Sequence, residues 1–72
     1  MKSKIETDAV RLTPRESQIL HLMAEGLSSK EIGERLFVDK WAVAAHTDSL
    51  YEKLGVPSRL LAIREAARRR LF

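Results

Sequence analysis

An all-α domain of four short helices is the fold this sequence predicts, on three observations. Apolar residues recur at helical spacing in four runs, each opened by a capping residue and most closed by Gly or followed by Pro. Two of the openings are complete Ser/Thr-x-x-Glu capping boxes. No window shows the period-two alternation of a strand. The first eleven residues are polar and aperiodic and read as an N-terminal arm, residues 1–11, ahead of one domain over residues 12–72.

The elements follow in order. Thr13-Pro14-Arg15-Glu16 opens the first helix, with Thr13 as cap, Pro14 at the first helical position and Glu16 reaching back to the Thr13 amide. Ile19, Leu20, Leu22 and Met23 supply its apolar face, and Gly26 stops it. Ser28-Ser29-Lys30-Glu31 is the second capping box, and Ile32 and Leu36 lie one turn apart on a short second helix. After Phe37-Val38, Asp39 caps a third helix with Val43, Thr47, Leu50 and Leu54 as its inward stripe and Gly55 as its end. Beyond Val56-Pro57, Ser58 caps a fourth helix running to about Arg70, with Leu61, Ala62, Ile63, Ala66 and Ala67 as apolar positions.

Seventy-two residues make one domain near the lower limit for a core without staples, and the chain contains no cysteine. Disulfides and thiolate metal sites are therefore excluded. His21 and His46 are too far apart in sequence to suggest a metal pair, and no cofactor is expected. Neither a nucleophile–base pair nor a carboxylate dyad nor a phosphate loop is visible, so an enzyme is not expected. There is no apolar run of membrane-spanning length, and Met1-Lys2-Ser3-Lys4 is not followed by the apolar core of a signal peptide, so the expectation is a cytoplasmic protein without a membrane partner.

The net charge is +3, and the whole excess sits in the last segment. Residues 58–72 carry Arg59, Arg64, Arg68, Arg69 and Arg70 against Glu65 alone. Such a run suits a helix C-terminus, DNA or an acidic partner.

Two short helices joined tightly at Phe37-Val38-Asp39 fit a helix-turn-helix over residues Ser28 to Leu54, in which the second helix enters the DNA major groove. By periodicity alone a structural αα-hairpin fits as well.

Three blocks decide between them. Leu12-Thr13-Pro14-Arg15-Glu16, Gly26-Leu27-Ser28-Ser29-Lys30-Glu31-Ile32, and Lys53-Leu54-Gly55-Val56 with Ser58-Arg59 closely resemble the LuxR/GerE-type DNA-binding domain. The resemblance covers Arg11 to Phe72. It implies a four-helix fold with the third helix as reader and the fourth as dimerisation surface, and a transcriptional regulator that binds double-stranded DNA as a homodimer on paired half-sites. In length the chain resembles the stand-alone members, and equally the C-terminal domain of a response regulator. Carried over position by position, the resemblance assigns DNA contact to Lys30, Lys40, Trp41, Val43, Ala44, His46, Thr47 and Lys53, and dimerisation to Leu61, Ala62 and Glu65.

One stretch departs from the family. Its third helix usually opens Ser-x-x-Thr-Val-Lys-x-His, whereas here the matching residues are Asp39-Lys40-Trp41-Ala42-Val43-Ala44-Ala45-His46. Ala42 and Ala44 offer neither hydroxyl nor ammonium. With Val43, Thr47, Leu50 and Leu54 inward, the outward face carries Trp41, Ala44, Ala45, Asp48 and Glu52, two carboxylates and no cation. Trp41 either covers the core beside Phe37 or stands exposed as an anchor for a protein. His46 reads as a buried or bridging imidazole or as a phosphate donor, and His21 as a surface residue. A second function is therefore carried alongside the first: a protein-interaction module of the same fold that pairs with and modulates another regulator protein.

Overall fold

The computed structural model describes residues 11–72. They form four α-helices in chain order: α1 Pro14–Ala24, α2 Ser29–Leu36, α3 Lys40–Leu54 and α4 Arg59–Arg68. Among the described residues there is no strand. Of the expected N-terminal arm, residues 1–10 lie outside the described residues.

Each helix starts where its cap places it. Thr13 and Glu16 bond reciprocally, the Thr13 amide donating to Glu16 Oε1 at 2.9 Å and the Glu16 amide to Thr13 Oγ1 at 3.1 Å. Ser28 and Glu31 do the same at 2.8 and 3.1 Å. Asp39 accepts from the Ala42 amide at 2.8 Å, and Ser58 accepts from the Leu61 amide at 3.3 Å. Orphan donors at all four N-termini are thus met by side chains.

The four helix ends share one design. A residue with positive φ is followed by an aliphatic residue whose amide reaches back five positions: Leu27 to the Leu22 carbonyl, Val38 to Gly33, Val56 to Tyr51 and Leu71 to Ala66. Those four aliphatic side chains pack on the core. The positive-φ residue is Gly26 at 98°, Phe37 at 59°, Gly55 at 71° and Arg70 at 59°. Helix α4 consequently ends at Arg68, two residues before the expected Arg70, because Arg70 adopts the left-handed turn itself.

Helix α3 packs against the other three. The core joins Ile19, Leu20 and Met23 of α1, Ile32 of α2, Val43, Leu50 and Leu54 of α3, and Ala62 and Ala66 of α4. Thr47 completes the expected α3 stripe only half-buried. Of the apolar positions on α4, the small Ala62 and Ala66 are sealed in the core, Ile63 is half-buried, and Leu61 and Ala67 are exposed.

Arg59 and Gly33 each help to fix the helices to one another. Arg59, at the start of α4, donates to the Met23 carbonyl at 3.0 Å and to the Leu27 carbonyl, closing the end of α1. Gly33 lies where α2 meets the turn, and a Cβ there would stand 2.9 Å from the Val38 carbonyl oxygen and 3.4 Å from Val43 Cγ2. The close crossing of α2 and α3 therefore requires a residue without a side chain.

Candidate nucleic-acid interface

The turn between α2 and α3 is built on Phe37, a left-handed residue whose side chain is 93% exposed. Its amide donates to the Gly33 carbonyl, and Val38 and Asp39 follow directly, so α3 begins at Lys40 with no slack. This sets the first turns of α3 outward beside the N-terminal turn of α2.

The outer face of α3 carries Trp41, Ala44, Ala45, Asp48 and Glu52, all exposed, as the helical period requires when Val43, Leu50 and Leu54 are buried. Trp41 is 73% exposed and does not cover the core; among the described residues, it and Phe37 are the two most exposed large apolar side chains. Lys40 Nζ stands 5.1 Å from the centre of the Trp41 ring, a cation–π distance. Lys30 and Lys40, on different helices, line one groove with Ser29, Gly33, Glu34, Phe37 and Val38. Lys30 and Lys40 thus bring two cationic residues to one side of the turn, against Glu34 as the one carboxylate among the lining residues.

The other residues with an expected DNA contact divide. Ala44 is exposed, His46 and Thr47 are half-buried, and Val43 is 1% exposed. The expectation of a Val43 contact is corrected: it is a core residue, facing inward because it begins the stripe continued by Leu50 and Leu54. Lys53 turns away from the outer face of α3, its ammonium bonding Glu16 Oε1 at 2.8 Å and the Arg11 carbonyl at 3.0 Å.

Glu16 is the residue whose second role the sequence did not disclose. Beyond its cap, its other oxygen accepts from the Ser49 hydroxyl at 2.6 Å, and the residue is only 3% exposed. Burial alone would raise its pKa; the Lys53 ammonium, the Ser49 hydroxyl and the Thr13 amide outweigh burial and hold it near 2. Glu16 therefore joins α1 to α3 from behind the exposed face.

On α4, Leu60 is 68% exposed and Leu61 36%, whereas Ala62 is fully buried. The expected dimerisation role of Ala62 is corrected, since its methyl is enclosed by the chain's own core. Glu65 is held by Arg68 and Arg69, whose guanidinium groups lower its pKa to about 2. His21 is exposed, as expected, and meets Phe72 edge-on at 5.3 Å. Among the described residues no group of His, Asp and Glu is arranged to hold a metal, and no helix is long and apolar enough to cross a membrane.

The chain matches the model of a family described as bacterial regulatory proteins, luxR family, over residues 10–66. It is 50% identical over 58 residues to an HTH-type transcriptional regulator of Mycobacterium tuberculosis, covering 81% of this chain and 7% of that protein. With the nitrate/nitrite response regulator protein NarL of Escherichia coli it shares 35% identity over 71 residues, 99% of this chain and 33% of the relative. The structure superimposes on the crystal structure of the response regulator ChrA of a heme-sensing two-component system with a TM-score of 0.84 and 32% identity, covering 99% of this chain and 35% of the other. The chain therefore spans at most 35% of the length of each of these relatives.

Proposed function

From the premise that this chain belongs to the luxR family of bacterial regulatory proteins, we propose that it binds duplex DNA through α3 and regulates transcription as a homodimer. The observation that carries this reading is the groove shared by Lys30 and Lys40 beside the exposed start of α3. There the two lysines, outnumbering the carboxylate of Glu34, can seat a phosphate strand while α3 lies in the major groove. Lys30, Lys40 and the half-buried His46 and Thr47 serve the backbone, and Trp41 and Ala44 face the bases. Lys53 can reach the backbone only by leaving Glu16. Pairing runs through the exposed Leu60 and Leu61 of α4, with Glu65 and its arginines at the rim.

Binding of the 72-residue chain to pooled random duplexes, followed by fluorescence anisotropy from low to moderate salt, tests the proposal. The expected result is affinity that falls linearly on a log–log plot against salt. A folded sample that retains no duplex at low salt overturns it. For the homodimer, sedimentation of the chain and of Leu61→Glu should show a dimer only in the former; equal behaviour of the two counts against this surface.

A second reading rests on one specific observation: Trp41 is exposed on a face of α3 that also carries Asp48 and Glu52, which repel phosphate. That face suits a protein partner, in keeping with a module that modulates another regulator. Trp41→Ala should then weaken a complex with such a regulator while leaving the circular dichroism spectrum unchanged. An unaltered complex removes this reading.

A further inference from the structure

The outer face of α3 has an unusual chemical content for a surface that reads bases. Trp41, Ala44, Ala45 and Asp48 lie on one side of the helix across two turns and are all exposed. At 1.5 Å per residue they cover about 10 Å, the rise of about three base pairs. Guanine is read by donors aimed at O6 and N7, and adenine by an amide that both donates and accepts. This stretch holds no Arg, Asn or Gln. Its nearest ammonium, on Lys40, stands over the Trp41 ring beside the groove it shares with Lys30. Beside the Trp41 indole, whose ring lies under the Lys40 ammonium, it presents two methyl groups and one carboxylate, which match the thymine C5-methyl and the cytosine N4 amino group.

We infer that α3 selects a pyrimidine-rich strand, placing Ala44 and Ala45 against thymine methyl groups and Asp48 against the amino group of a cytosine. The inference rests on the DNA-binding reading above. Asp48 then has two opposed effects. It repels the phosphates of every duplex and accepts a hydrogen bond from one base, so it lowers general affinity and adds discrimination. Ala44 and Ala45 contribute shape and apolar contact, which favour thymine over uracil, a base that differs only by the methyl group. Specificity of this kind carries almost no salt dependence of its own, because no ion is released at the base edge.

The test is a selection from random duplexes with the 72-residue chain, followed by titration of the enriched duplex with each thymine replaced in turn by deoxyuridine. Loss of one contacted methyl is expected to weaken binding about fourfold, the effect of one buried methylene-sized group. Asp48→Ala should bind unselected duplexes more tightly while losing its preference for cytosine at one position, and Ala44→Lys should exchange a thymine for a guanine in the enriched site. Both side chains are exposed, so these substitutions leave the core intact. Unchanged affinity for the uracil-substituted duplexes overturns the inference and leaves DNA binding standing. An Asp48→Ala variant that keeps the native preference at every C·G pair of the enriched site does the same. Absence of any retained duplex overturns the DNA-binding reading, and the inference falls with it.

Discussion

The carboxylate of Glu16 and the ammonium of Lys53 meet at 2.8 Å although 37 positions separate them in the chain. Glu16 is buried and Lys53 about one-third exposed, so the pair clamps the start of α1 to the end of α3. Its electrostatics give the clearest pH dependence in the molecule. The Glu16 pKa falls from an ordinary 4.5 to about 2 on folding. A depressed carboxyl stabilises the fold fully above the unfolded value and loses that contribution as pH falls toward the folded one. Stability should be level above about pH 5 and decline between 4.5 and 2. The Glu16 share should be about 2 kcal/mol once screening at Lys53 is allowed for. Glu31 and Glu65 are lowered as well, by the Ser28 cap and by Arg68 and Arg69, so urea unfolding of the native chain and Glu16→Gln at several pH values isolates the Glu16 share; equal slopes would exclude a contribution from Glu16.

Gly33→Ala tests the crossing of α2 and α3. An added Cβ would lie 2.9 Å from a backbone oxygen, which cannot rotate away as a side chain can. Despite the better helix propensity of Ala, a loss of about 1–3 kcal/mol is expected. A urea midpoint at or above that of the native chain would show that the crossing relaxes freely.

Phe37→Gly should act in the opposite direction. Phe37 holds φ at 59° and buries almost nothing, so glycine removes backbone strain without removing core. A gain of about 0.5–1 kcal/mol is expected in thermal unfolding. A marked loss would mean that the ring stabilises the turn.

Arg59→Ala should lower stability by about 1.5–3 kcal/mol, because the carbonyls of Met23 and Leu27 lose a charged donor. Arg59→Lys should recover part of it, since one ammonium cannot reproduce the planar fork. Denaturant titration of the three proteins reads this directly.

In DNA titrations, Lys30→Ala and Lys40→Ala should each reduce the slope of log affinity against log salt by about 1. They should leave the ranking of sequences unchanged, because phosphate contacts position without specifying. A shift in the preferred sequence with either variant would assign that lysine to a base edge.

Much of the fold was legible because its signals are local. Thr13, Ser28, Asp39 and Ser58 cap the helices they were expected to cap, and Gly26 and Gly55 end theirs. The end of α4 was misplaced by two residues because Arg70 performs a turn usually marked by glycine, and the left-handed Phe37 was hidden for the same reason. Gly33 carried a signal in retrospect, a glycine inside a helix, but its cause is a backbone oxygen on the following turn. The link from Glu16 to Ser49 and Lys53 had no local trace at all. For the site, the outward face of α3 followed from its period, yet the exposure of Trp41 did not, since an aromatic at a helix start packs inward or outward with equal ease. Val43 and Ala62 were assigned to contacts by position in the family pattern, and burial overrode both.

Helix α3 divides its duties by face. The side that meets the three other helices holds the domain together, while Trp41, Ala44, Ala45 and Asp48 lie outside the sealed core. Those four positions form an alphabet that can be rewritten without disturbing the page it is written on. Variants randomised there should remain folded while their binding preferences diverge, which makes this small domain a practical scaffold for retargeting.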